Sequence, residues 1–232
     1  YVSVGALRPY SWFRYLGESG IYPVVITRQW GNKHGNQLDY ISPGESDNTI
    51  IEKTEFGTII RTPYKPNLAN RLQLKYGSGR FSAIRKLVTG YYEIAQFLFV
   101  TGTKSGLYKG AKEYLKNEKT DIIIASGSPH ILFKYASKLS RKTGIPWIAD
   151  YRDPWSQSKS RNKNFVLKNF NSFFEKRFLK NCSAVTTVSE FLIYQIQSLV
   201  DKPFHIITNG FDPENCRQEA ELKQNGDIFT LA

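Results

Sequence analysis

The 232-residue chain is 41% hydrophobic and 14% aromatic, which is enough apolar surface for a folded core and excludes disorder of the whole. Its formal net charge of +12 concerns partners rather than fold, and favours an anionic one. Cys182 and Cys216 stand without a second cysteine or a histidine at metal-ligand spacing, so both are read as reduced structural thiols, a disulfide being open but unsupported.

In chain order, Pro9 opens an amphipathic run to Gly17 with Trp12, Phe13 and Leu16 on one face. The start therefore reads as a glycine-containing loop feeding a helix, its preceding strand missing. Residues 21–27 read as a buried strand, followed by a polar loop rich in Gly and Asn over 31–48. Residues 50–52 and 58–62 predict short antiparallel strands around Phe56 and Gly57. Helical stretches fall at 81–88 and 91–100 inside an aromatic-basic mixture, with a clearer amphipathic helix at 107–117.

A regular alternation begins there: strand 121–125, loop 126–130, helix 131–142, strand 146–149, helix 165–180, strand 184–188, helix 190–199, strand 205–208 and turn 209–213. Strands alternating with helices of this length predict an α/β fold, a Rossmann-like parallel sheet with helices on both faces. Residues 1–212 read as one domain, 213–227 as a charged linker, and Ile-Phe-Thr-Leu-Ala at 228–232 as the start of a truncated second domain. No secretory signal and no run of about 18 apolar residues is present, so no membrane-spanning helix is predicted.

Four loops at strand ends collect the reactive groups, where open α/β sheets bind their ligands. Residues 144–155 carry the strongest signal. An apolar strand drives into Asp150, Arg152 and Asp153, and Pro154 halts it by forcing Asp153 into an extended or turn conformation. In the loop Ser126-Gly127-Ser128-Pro129-His130, Gly127 allows close approach, Ser128 offers a hydroxyl, and His130 is a candidate donor or base in the first turn of the next helix. Backbone N–H groups near Gly5 and Arg8 are candidates to receive an anion. Ser189 and Glu190 suit helix capping better than catalysis.

These pieces, taken in order, resemble the N-terminal half of a family 4 glycosyltransferase of GT-B architecture. The resemblance rests on Val4-Gly5-Ala6-Leu7-Arg8-Pro9, on Ser126–His130, on Gly-Ile-Pro-Trp-Ile-Ala-Asp-Tyr-Arg-Asp-Pro-Trp at 144–155, on Ala-Val-Thr-Thr-Val-Ser-Glu at 184–190, and on Ile-Thr-Asn-Gly-Phe-Asp at 207–212. It is poor between residues 31 and 107. It implies two Rossmann-like domains facing a cleft, the first holding the acceptor and the second a nucleotide-sugar donor, with retention of configuration and no bound metal or other cofactor. Mapped onto this chain, the resemblance puts Gly5 and Arg8 near the donor phosphates and acceptor. Asp150, Arg152 and Asp153 would face the acceptor and the reacting sugar carbon, and Asn209-Gly210 would form the crossing to the second domain. Arg152 is the candidate to orient Asp150 or Asp153 through a bidentate pair.

Two departures follow from the same resemblance. Many relatives carry a histidine after the strand at 146–149, where this chain has Asp-Tyr-Arg-Asp. The family's paired-glutamate donor motif belongs to its second domain, so the chain alone is expected to be inactive.

The basicity is local. Residues 61–119 hold twelve Lys and Arg against three Glu, and residues 159–180 hold seven against Glu175 alone. Cations interleaved with aromatics over 61–119 make an anionic membrane surface a candidate partner, beside a nucleotide sugar and a glycan or lipid-linked acceptor. The expected location is the cytoplasm, with peripheral attachment to the inner face of its membrane. Alternatives are a GT-B nucleotide-sugar epimerase and a noncatalytic sugar-binding protein. A nucleic-acid module is disfavoured because no helix-turn-helix, stacking platform or zinc pattern accompanies the charge.

Overall fold

The structure, a computed structural model, describes residues 4–31, 37–158 and 164–210. The expected linker at 213–227 and the run at 228–232 lie outside the described residues.

The first helix, α1 (Val4–Tyr15), starts five residues earlier than the proline suggests. Pro9 sits inside it, where its missing N–H leaves the Gly5 carbonyl without that helical partner. Gly5 therefore belongs to the helix's first turn, not to a loop. Strand β1 (Val24–Arg28) is half-buried along its length rather than buried. Strands β2 (Ile50–Lys53) and β3 (Thr58–Thr62) pair antiparallel as predicted, and β1 pairs parallel with β3 to give a three-stranded sheet of order β1-β3-β2.

A helical hairpin follows. Helix α2 (Leu68–Tyr76) went unpredicted, although Asn67 caps it by accepting from the Asn70 N–H at 2.9 Å and Gly77 closes it. Helix α3 (Ser82–Leu98) is continuous where two stretches were expected. Gly90 lies between those stretches, and one interior glycine costs a helix only about 1 kcal/mol. Helix α4 (Ser105–Asn117) lies across β1 and β3, and a side chain at Gly110 would clash with Thr62. Its other side meets the next helix through Tyr108.

The second sheet is the expected alternation: β4 (Ile123–Gly127), α5 (Ile131–Thr143), β5 (Trp147–Tyr151), α6 (Phe165–Leu179), β6 (Ala184–Thr187), α7 (Glu190–Ile196) and β7 (Phe204–Ile206). Its four strands run parallel in the order β4-β5-β6-β7. Gly144 ends α5 in the left-handed conformation at φ 77°, and its N–H returns to the Ser140 carbonyl.

Side chains alternate across β5. Trp147, Ala149 and Tyr151, all fully buried, face a core built with Phe133 of α5 and Phe174, Phe178 and Leu179 of α6. Asp150 points to the opposite face, where α1 supplies Arg8. Helices thus cover both faces. Phe97 of α3 enters the first core, stacked on Trp155 at 5.7 Å and edge-on to Phe170 at 5.4 Å. Lys134 of α5 anchors the same helix end: its ammonium donates to the Gln96 and Phe99 carbonyls at 2.6 and 2.7 Å.

Candidate functional site

Strands β4 and β5 run two residues further than predicted, and this places the chemistry. Ser126, Asp150 and Thr186 stand in register on three neighbouring strands, on the face opposite the aromatic core. Asp150 is fully buried. Its Oδ2 accepts from Ser126 Oγ at 2.7 Å, and its Oδ1 from Thr186 Oγ1 at 2.8 Å and from Arg8 at 3.0 Å. A buried carboxylate is tolerable only with such a set of donors.

The partner of Asp150 is Arg8, not Arg152. Arg8 is 7% exposed, stacks its guanidinium over Trp12 at 4.7 Å, and sends NH1 to the Ile207 carbonyl at 2.7 Å and, at 3.3 Å, to the Thr208 carbonyl and Asn209 Oδ1. Its guanidinium is held inside the domain by these partners. Arg152 straps the loop after β4, donating to the Gly127 carbonyl at 3.0 Å and the Ser128 carbonyl at 2.7 Å.

His130 is buried. Its ring stacks on Trp155 at 5.1 Å with planes 7° apart, and Nε2 reaches the Asp153 carbonyl at 3.3 Å. That contact makes Nε2 the donor. Gly127 is needed here, since a Cβ would sit 2.9 Å from the Phe133 ring and 3.0 Å from the imidazole of His130. Of the three charged residues at 150–153, Asp153 is the exposed one. Two loops, 126–130 and 152–155, are therefore bound into one unit by Arg152 and by the His130–Asp153 contact.

A cavity of about 230 Å³ opens beside this unit, lined by Ser128, His130 and Trp155 and by Glu93 and Lys104 from the helical region. Burial lowers the Lys104 pKa, partly opposed by Glu93. A larger cleft of about 580 Å³ lies at the other end of the strands, between α6 and the segment entering β7, and holds none of the expected site residues.

The remaining candidates are less engaged. Ser189 occupies the N-cap position of α7 but makes no side-chain capping bond, and Glu190 is exposed in the first turn, so the capping expectation holds in position only. Asn209 and Gly210 are exposed just past β7. Gly5 lies at the start of the helix that carries Arg8.

Sequence reasoning missed Glu175. It is fully buried on α6 and accepts from Tyr151 OH at 2.7 Å, the Ser156 N–H at 3.1 Å and Gln157 at 3.3 Å. Burial raises its pKa against these hydrogen bonds, and burial with Glu175 raises that of Tyr151 well above 10. The signal was present: Glu175 is the only acid in a strongly basic stretch. Cys182 is free and buried, which pushes its thiol up to about 11 and makes it inert at neutral pH. Among the described residues no group of three His, Cys, Asp or Glu side chains is arranged to hold a metal.

Parallel strands with helices on both faces, and polar loops gathered at their carboxyl ends, define a Rossmann-like ligand-binding domain. The family model for Glycosyltransferase Family 4 matches residues 10–215, most of the chain. The chain belongs to that family, as its motifs predict, and is a glycosyltransferase, a transferase enzyme. No curated protein matches it.

Proposed function

We propose that the protein transfers a hexosyl group from a nucleotide sugar to a glycan or lipid-linked acceptor, with retention of configuration, in cell-surface polysaccharide synthesis in the cytoplasm. Membership of the family carries the transferase part of this reading. The observation that supports a role for this domain's own residues is the exposure of Asp153 on a braced loop beside the 230 Å³ cavity.

In this reading Asp153 faces the acceptor hydroxyl, while Ser128 and His130 border the space the acceptor occupies. Asp150 acts through position: with Ser126, Thr186 and Arg8 it fixes the strand ends from which the loops leave. Asn209-Gly210 begins the crossing towards the donor-binding part. Transfer passes through an oxocarbenium-like state, stabilised by a nearby carboxylate or carbonyl, and the departing diphosphate is met by positive charge and helix N-termini. No metal or other cofactor is assigned a step.

Calorimetric titration of the full-length protein against a panel of nucleotide sugars tests the donor, and one tight binder is the expected result. With that donor, Asp153→Asn should lower turnover by about a hundredfold or more with little change in donor affinity. Unchanged turnover removes Asp153 from the mechanism.

A further inference from the structure

Among the described residues, nothing covers an apolar face of the hairpin α2–α3. Along α3, Ile84, Leu87, Tyr91, Ile94 and Leu98 recur at intervals of three and four residues, and all five are exposed, by 47%, 74%, 66%, 56% and 60%. Such spacing puts them on one stripe of the helix, about 21 Å long at the helical rise of 1.5 Å per residue. The stripe is bounded on its two flanks by residues that are engaged: Phe97 sits in the aromatic core, and Ala95 is buried. A contiguous exposed stripe of this size marks an interaction surface.

We propose that this stripe docks α3 flat into the interface of a membrane containing anionic lipid. The charge around it selects that occupant. From residue 68 to residue 100 there are five Lys and Arg and one acid, Glu93. Arg71, Lys75, Arg80 and Lys86 are exposed, and none of them has a carboxylate partner among the described residues. The fifth, Arg85, donates to the Gly77 and Ser78 carbonyls and so fixes the hairpin tip.

At that tip the rings of Tyr76 and Phe81 meet edge-on at 5.1 Å, both partly exposed, with Lys75 beside Tyr76. Aromatic rings and cations flanking an apolar stripe match the headgroup region of a bilayer, where rings anchor and cations meet anionic headgroups. A second copy is the poorer occupant, because pairing the stripes would bring two basic hairpins together. Spanning is not at issue: no helix among the described residues is long and apolar enough to cross a membrane.

Vesicle binding needs no sugar, so it stands or falls apart from the transfer reading. The full-length protein is sedimented with neutral phosphatidylcholine vesicles and with vesicles carrying about one third phosphatidylglycerol, where binding to the anionic set should be about tenfold stronger or more at low salt and fall at high salt. The double variant Leu87→Glu, Ile94→Glu should lose this binding while keeping its circular dichroism. The milder Leu87→Asn should weaken it, and Lys75→Glu with Lys86→Glu should abolish the preference for anionic vesicles. Failure to sediment with anionic vesicles, equal binding to both sets, or binding indifferent to the stripe variants would each overturn the proposal. So would a concentration-dependent dimer, abolished by the stripe variants, in a protein that ignores vesicles.

Discussion

The carboxyl end of the four-stranded sheet and the hairpin α2–α3 solve opposite problems. At the sheet, charged groups are taken out of water and every charge that is buried is answered: Asp150 by three donors, Glu175 by Tyr151, Ser156 and Gln157. On the hairpin, large apolar groups are left in water and nothing within the described residues covers them. The first arrangement holds a shape at a desolvation cost. The second forgoes the stability that burial would give, which is the mark of a surface kept for a partner. Stability and association are thus allotted to different parts of one domain.

The contrast breaks most sharply at Asp150. Asp150→Ala leaves the Arg8 guanidinium buried and uncompensated, and should destabilise the fold by about 3–5 kcal/mol, read as a shift of the urea midpoint. A midpoint within experimental scatter of the wild type would mean that Arg8 finds water instead.

Lys134→Met comes next. It strands the Gln96 and Phe99 carbonyls at the end of α3 and should cost about 1–3 kcal/mol by the same measurement. Because Lys134 joins α3 to α5, hydrogen exchange should quicken in residues 92–100 before it changes in β5. Uniform acceleration would show that the two regions unfold together.

Glu175 sharpens the comparison through pH. Burial keeps its proton on to higher pH in the folded chain than in the unfolded one, where the ordinary value is 4.5. Its contribution is therefore fully present below 4.5 and is lost as pH rises through the raised folded value. Glu175→Gln should flatten the dependence of Tm on pH across that window, and an unaltered profile would assign the dependence to other groups.

The smallest effect is expected on the hairpin. Leu87→Asn, at a residue 74% exposed, should change stability by no more than about 0.5 kcal/mol. A loss of several times that size would reveal a packing partner in solution.

Much of the second sheet was legible in the sequence because its strands and helices alternate with clear periods and are punctuated by Gly144, Pro146 and Pro154. What escaped was which way each polar side chain faces. Asp150, Arg152 and Asp153 read as one cluster, yet alternation along β5 sends Asp150 to the face of α1, while Arg152 turns back to the Gly127 and Ser128 carbonyls. The strand ends were set two residues short because Asp, Ser and Gly look like loop, and only the register with Thr186 shows why a strand accepts them.

The helix before Pro9 was hidden by the proline, and the hairpin by mixed apolar and basic composition. Its basicity pointed to an anionic surface, but the stripe emerges only when α3 is seen to be continuous. The carboxylates of Glu175 and Asp150 owe their importance to burial, which no single residue type announces.

Arg8 binds the two ends of the described chain to each other: one arm grips β5 at Asp150, the other grips the backbone leaving β7 at Ile207 and Thr208 and the side chain of Asn209. The chain is thus pinned up to Asn209, and the next residue, Gly210, has open space where a side chain would be. One guanidinium thus couples the segment leaving β7 to the strand end that carries Asp150, so that a change on either side is felt at the other.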